Sequence, residues 1–165
     1  MNHIPEQLPT RLRHHLTGHR NIARRILPAL SAELDRTTRA LTAEGVRYFE
    51  TGGARGFDTL AAETVLQLRR EFPHIRLILV LPCQNQTRGW KPDDVLRYEA
   101  VMEQADRVIY TGDEYTTECM RRRNRCLVDH SGVCGACCTR SFGGTAYTVD
   151  YAQRQGVRVI LLDVE

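Results

Sequence analysis

Short apolar runs that each pass directly into a segment of helical period recur along almost the whole chain, and four of these junctions carry glycine. That alternation directs a chain into strand-and-helix units built around a parallel sheet. In such a sheet every strand-to-helix connection opens at the same edge. Glycine there lets backbone N–H groups approach an anion, and the helix that follows adds its unsatisfied first-turn donors and the positive end of its dipole.

The pattern predicts strands over residues 12–16, 46–50, 75–81, 107–110, 133–138 and 157–162. Residues 75–81 are nearly all aliphatic and belong in the sheet interior. Helices are expected between the strands. Leu30, Leu34, Thr38 and Leu41 share a face of the first, which has Pro28 near its start and Gly45 at its end. Leu60, Ala61, Thr64, Leu68 and Phe72 mark the second, stopped by Pro73, and Val95, Tyr98, Met102 and Ala105 mark the third, with Asp93 as its N-cap. Thr116 or Thr117 caps an arginine-rich fourth, and the fifth follows Gly143-Gly144-Thr145. Six strands and five helices give an α/β, Rossmann-like three-layer fold with a mainly parallel sheet flanked by helices.

A chain of 165 residues with 42% hydrophobic content fills one sizeable core, so residues 1–165 read as a single domain, with residues 1–10 a flexible polar segment. No signal-peptide pattern or apolar run of membrane length is present, and the expected location is cytoplasmic. In that reducing setting Cys83, Cys119, Cys126, Cys134, Cys137 and Cys138 are expected as free thiols. Cys134, Cys137 and Cys138 form the nearest thing to a zinc knuckle. No second Cys or His pair stands at ligand spacing, and His14 and His15 point to opposite faces of a strand, so no metal is expected. The net charge is only +3, too even a balance to argue for nucleic acid by itself.

The candidate binding residues gather at the glycine-bearing junctions. They are Gly18, His19 and Arg20 after the first strand; Gly52, Gly53, Arg55, Gly56 and Asp58 after the second; Thr111 and Gly112 after the fourth; and Gly143, Gly144 and Thr145 after the fifth. Any one glycine serves a tight turn equally well, but four on one edge favour a phosphate site. Within Arg121-Arg122-Arg123-Asn124-Arg125, Arg123 shares a helix side with Cys119 and Leu127. It faces inward and needs a buried partner or an anionic ligand, so Arg123 and Asn124 join the set. Trp90, with Arg88 and Lys91, reads either as part of a flap over the same edge or as an ordinary surface loop.

Thr17-Gly18-His19-Arg20, the run Gly52 to Asp58, Arg123-Asn124-Arg125 through Ser131, and Gly143-Gly144-Thr145-Ala146-Tyr147-Thr148-Val149 together resemble the YpsA-like branch of the SLOG superfamily. That superfamily also holds the "lonely guy" phosphoribohydrolases, molybdenum-cofactor carrier-like proteins and the DNA-processing protein A family. The resemblance covers nearly the whole chain and implies a Rossmann-like fold, a nucleotide-derived ligand and a homodimer. In the phosphoribohydrolases a glycine-rich motif ends in a glutamate that acts at the ribose; counting from Gly143 places Asp150 there, with Ala146-Tyr147 as a departure. The three cysteines before Gly143 are a second departure.

Three functions are thus expected, in order. The first is a sensor or binding domain for a nucleotide or nucleotide-derived phosphorylated ligand, with no cofactor required. The second is an N-glycosidic hydrolase of nucleoside monophosphates, with Asp150 or Glu63 as its carboxylate. A single-stranded nucleic-acid binder using the arginine-rich helix comes last.

Overall fold

The computed structural model describes residues 7–137 and 143–164. Its elements run β1 (Arg13–Gly18), α1 (Leu27–Ala43), β2 (Tyr48–Thr51), α2 (Phe57–Leu68), β3 (Arg76–Leu81), α3 (Pro92–Gln104), β4 (Arg107–Tyr110), α4 (Cys119–Asp129), β5 (Val133–Cys137), α5 (Gly144–Arg154) and β6 (Arg158–Leu161). The strands form one six-stranded parallel sheet in the order β4-β3-β2-β1-β5-β6.

Alternation along each strand sorts the core into two layers. Leu16, Phe49, Leu77, Leu79 and Leu81 pack with Leu30, Leu34, Ala61, Val65, Tyr98 and Val101 of α1, α2 and α3. On the opposite face, Tyr48, Ile78 and Val80 meet Leu127 of α4, while Cys134 and Ala136 meet Val128 and Ala152 from α4 and α5. Every residue of β3 is buried, as befits a strand covered on both sides.

The helix ends follow the sequence in part. Pro28 lies in the first turn of α1, and Gly45, at φ 102, ends that helix with Gly45 N–H on Thr42 O and Val46 N–H on Leu41 O. This is the two-bond arrangement that a left-handed residue after a helix permits. Two caps differ from expectation. The N-cap of α3 is Lys91, with Pro92 opening the helix and Asp93 and Asp94 in its first turn, where their charge meets the dipole instead. The N-cap of α4 is Glu118, and neither threonine caps the helix. Strand β5 is seen through Cys137, and Cys138 lies outside the described residues.

A buried charge pair ties β1 to β2. Arg13 donates from Nε and Nη2 to the two oxygens of Glu50 at 2.9 and 2.5 Å, and Ser131 Oγ donates to the same carboxylate at 3.3 Å. Beside it, His14 and His15 are fully buried, and burial holds both imidazoles down to about 3, so they are neutral at any ordinary pH. No described helix is long and apolar enough to cross a membrane.

Candidate functional site

The expected turn at Gly18 proves to be the last residue of β1, paired with Cys137 of β5. A Cβ on Gly18 would stand 2.2 Å from the Phe57 ring, so glycine here admits the start of α2 against the strand. The chain then turns, and Phe57 N–H donates to His19 O at 3.2 Å. Gly56 completes the fit with φ 79, and a Cβ there would meet the Arg20 carbonyl oxygen at 2.0 Å. These contacts fix the backbone of His19 and Arg20 over α2 and leave the Arg20 side chain exposed.

The junction after β2 is tighter still. Ala54 N–H donates to Asp58 Oδ2 at 3.1 Å, Thr59 Oγ1 donates to Ala54 O at 3.0 Å, and Gln86 Nε2 donates to Gly53 O at 3.3 Å. Asp58 is buried; desolvation pushes its carboxyl up, opposed chiefly by the charge of Arg123. Arg123, 4% exposed, reaches from α4 to donate Nη1–H to Gly52 O and Nε–H to Asn124 Oδ1, the latter at 2.7 Å. Its buried partners are therefore a carbonyl, an amide and the field of Asp58. A Cβ at position 52 would collide with this guanidinium, so glycine leaves the room in which it lies.

Three of the four junctions close around one cavity of about 260 Å³, lined by Gly18, His19, Arg20, Asp58, Arg123, Asn124, Gly143, Gly144 and Thr145, together with Thr17, Asn21, Ala54 and Met120. Gly143, at the N-cap of α5, has no side chain with which to occupy the first-turn N–H groups, and Gly143 and Gly144 are exposed. This inner chamber thus offers helix donors, a buried arginine and an exposed one. It adjoins an outer chamber of about 560 Å³ through the shared residues Arg20, Ala54 and Met120. The outer chamber brings in Arg55, Asn85, Gln86, Arg88, Trp90 and Tyr115. Trp90 stands edge-on to Tyr98 at 5.5 Å, and Asn85 Oδ1 accepts the Tyr115 N–H at 3.2 Å, so the two rims of this chamber are braced.

Not every candidate joins them. Thr111 turns its N–H and Oγ1 to Leu81 O at 2.9 and 3.2 Å, Gly112 packs on the Pro82 carbonyl, and neither lines these chambers; Gly52, Gly53 and Gly56 stand behind the walls as packing positions. Asp150 is on the exposed side of α5, paired with Arg154 at 3.0 Å, and Glu63 on α2 is paired with Arg97 at 2.7 Å. The carboxylates that do line the chambers are Asp58 and Glu114. Met120, Asn85 and Gln86 went unnoticed in the sequence because none belongs to a glycine motif, and Tyr115 was legible only as an aromatic near the fourth turn. The unusual length of the connection after β3 was the available signal.

Several known proteins are similar to this chain. YoqJ of Bacillus subtilis, an uncharacterized SPbeta prophage-derived protein, is 29% identical over 126 residues, 69% of this chain and 74% of the relative. A UPF0398 protein of Brevibacillus brevis is 36% identical over 86 residues, 48% of this chain and 44% of the relative. Among solved structures, DNA processing protein A of Streptococcus pneumoniae superposes with a TM-score of 0.67 at 17% identity, covering 92% of this chain but only 50% of its own. DNA processing protein A of Helicobacter pylori, described for its single-stranded DNA binding mode, gives the same score and identity over 65% of its length. At that identity the likeness establishes the fold. The YpsA family model, described as the YspA SLOG family, matches residues 16–158, from the last core leucine of β1 to the start of β6, and the chain belongs to that family.

Proposed function

We propose that the paired chambers bind a nucleotide-derived ligand, its phosphate in the inner chamber and its base in the outer one, and that the protein is a binding or sensing domain. The observation that carries this reading is the junction. Arg20, exposed and without an ion pair among the described residues, lines both chambers, between the α5 N-terminus on one side and Trp90 and Tyr115 on the other. A helix N-terminus and an arginine suit an oxyanion, and an aromatic wall with Gln86 and Asn85 suits a heterocycle. The outward, ion-paired positions of Asp150 and Glu63 speak against hydrolysis by either carboxylate.

A thermal-shift series with AMP, ADP-ribose and NAD tests it, with product analysis on every hit. A true ligand at a hundred times its Kd should raise the melting temperature by about 5–10 °C, and Arg20→Ala should remove most of that rise. Release of free base would instead make the protein a hydrolase; no shift with any compound would remove the reading.

The DNA binding of the Helicobacter pylori protein favours a second reading, in which Arg121 and Arg122, exposed on α4, contact a single strand. It predicts an affinity that falls steeply with salt, and oligonucleotide binding at low but not moderate salt would support it.

A further inference from the structure

Beyond the two chambers lies a groove of about 620 Å³ where the chain after β1 faces the beginnings of α2 and α3. Its charged lining is one-sided: Arg20, Arg24, Arg55, Lys91 and Arg97 against the single carboxylate of Asp94. Arg97 is neutralised by Glu63 at 2.7 Å. Arg20, Arg24 and Lys91 make no ion pair among the described residues, and Arg55 Nε is buried with no hydrogen-bond partner.

Elsewhere on the surface many arginines are neutralised: Arg36 pairs with Glu33, Arg39 with Asp35 and Glu71, Arg69 with Asp106, and Arg158 with Glu44. Arg11, Arg47 and Arg70 are exposed without an ion pair among the described residues, but they do not gather in one concave lining as the groove residues do. Like charges gathered in one concave space repel one another, and the arrangement becomes favourable when an anion enters. The space exceeds what one phosphate fills, and guanidinium forks suit phosphate oxygens, so the complementary group is a run of linked phosphates.

Arg20 and Arg55 also line the outer chamber, which makes the groove continuous with it. We propose that the groove is a second anion site, taking the phosphates beyond the first of a nucleotide whose base occupies the outer chamber and whose first phosphate lies in the inner one. The anion site stands on the groove alone, whereas its link to a nucleotide rests on the reading of the chambers given above. On this account a nucleoside monophosphate uses only part of the available surface.

Calorimetric titration of the full chain with AMP, ATP and inorganic tripolyphosphate tests the proposal, using the wild type and the doubly substituted Arg24→Ala, Lys91→Ala variant. Both side chains are exposed and line the groove but neither chamber. ATP is expected to bind at least about tenfold more tightly than AMP. The variant should erase that advantage and weaken tripolyphosphate at least about fivefold, with AMP unchanged within about twofold, in line with the loss of two phosphate contacts. A glutamine pair at the same positions, with an unaltered melting temperature, should reproduce the result. Equal binding of AMP and ATP, or an ATP advantage that survives in both variants, would overturn the second site while leaving the chambers intact. Groove-dependent binding of tripolyphosphate with no binding of AMP would do the reverse.

Discussion

At Gly52 the missing Cβ is room for a guanidinium, so this glycine is a condition for burying Arg123. Gly52→Ala must displace that side chain, and is expected to cost about 1–3 kcal/mol and to weaken AMP binding; chemical denaturation and titration of one variant measure both effects. Gly56→Ala should cost more, since it adds a positive φ to a collision with backbone at Arg20. His14 and His15 give a second residue-level consequence. Folding lowers each imidazole from an ordinary 6.5 to about 3, so between those values the unfolded chain holds protons that the folded one does not. Their contribution to stability is complete above about pH 6.5 and is lost as pH falls toward 3, by about 1.4 kcal/mol per pH unit for each histidine. Melting temperatures from pH 7 to pH 4 check this, and His15→Gln should flatten the slope.

Elements were legible wherever one face is apolar and unreadable wherever tertiary contact decides. The inward turn of Arg123 followed from its spacing to Cys119 and Leu127, and Cys119, Arg123 and Leu127 are indeed buried together. The capping residues of α3 and α4 were misplaced, because Pro92 opens α3 and leaves Lys91 at its cap, and α4 starts at Cys119 with Glu118 at its cap. Strand β1 ran two residues further than its apolar stretch, since Thr17 and Gly18 are held by pairing with Ala136 and Cys137 of a strand distant in sequence. The Arg13–Glu50 bridge between β1 and β2 was likewise invisible, as each residue alone reads as an ordinary charge on a strand. Glu50→Ala should destabilise the fold by about 3–5 kcal/mol by stranding a buried guanidinium. The double replacement Arg13→Met, Glu50→Leu should cost clearly less than the two single changes together, as a denaturation double-mutant cycle would show.

Across the whole molecule, glycine counting picked out four junctions, and residues from three of them line the inner chamber; only the strand order could say that β4 lies at the far side of the sheet, which leaves Thr111 and Gly112 outside the chambers. The aromatic chamber was half legible, through Arg20 and Arg55 at the glycine junctions and through Trp90 and Arg88, because Asn85, Gln86, Glu114 and Met120 come from segments with no motif. Asp150→Asn should leave AMP affinity unchanged, its carboxylate being turned away from the chambers toward Arg154; a loss of binding in titration would relocate the site. The central place of β1 has one more consequence, in time. β1 pairs with β2 soon after both leave the ribosome, yet its other edge waits for β5, and at about 5–20 residues per second the intervening chain takes on the order of ten seconds to make. During that interval the nascent protein carries an open strand edge bearing His14, His15 and Leu16, the kind of edge that invites pairing with a neighbouring chain. The inner chamber, whose walls include both β1 and the start of α5, is among the last features to form, so a ligand held there binds only chains that have closed this edge.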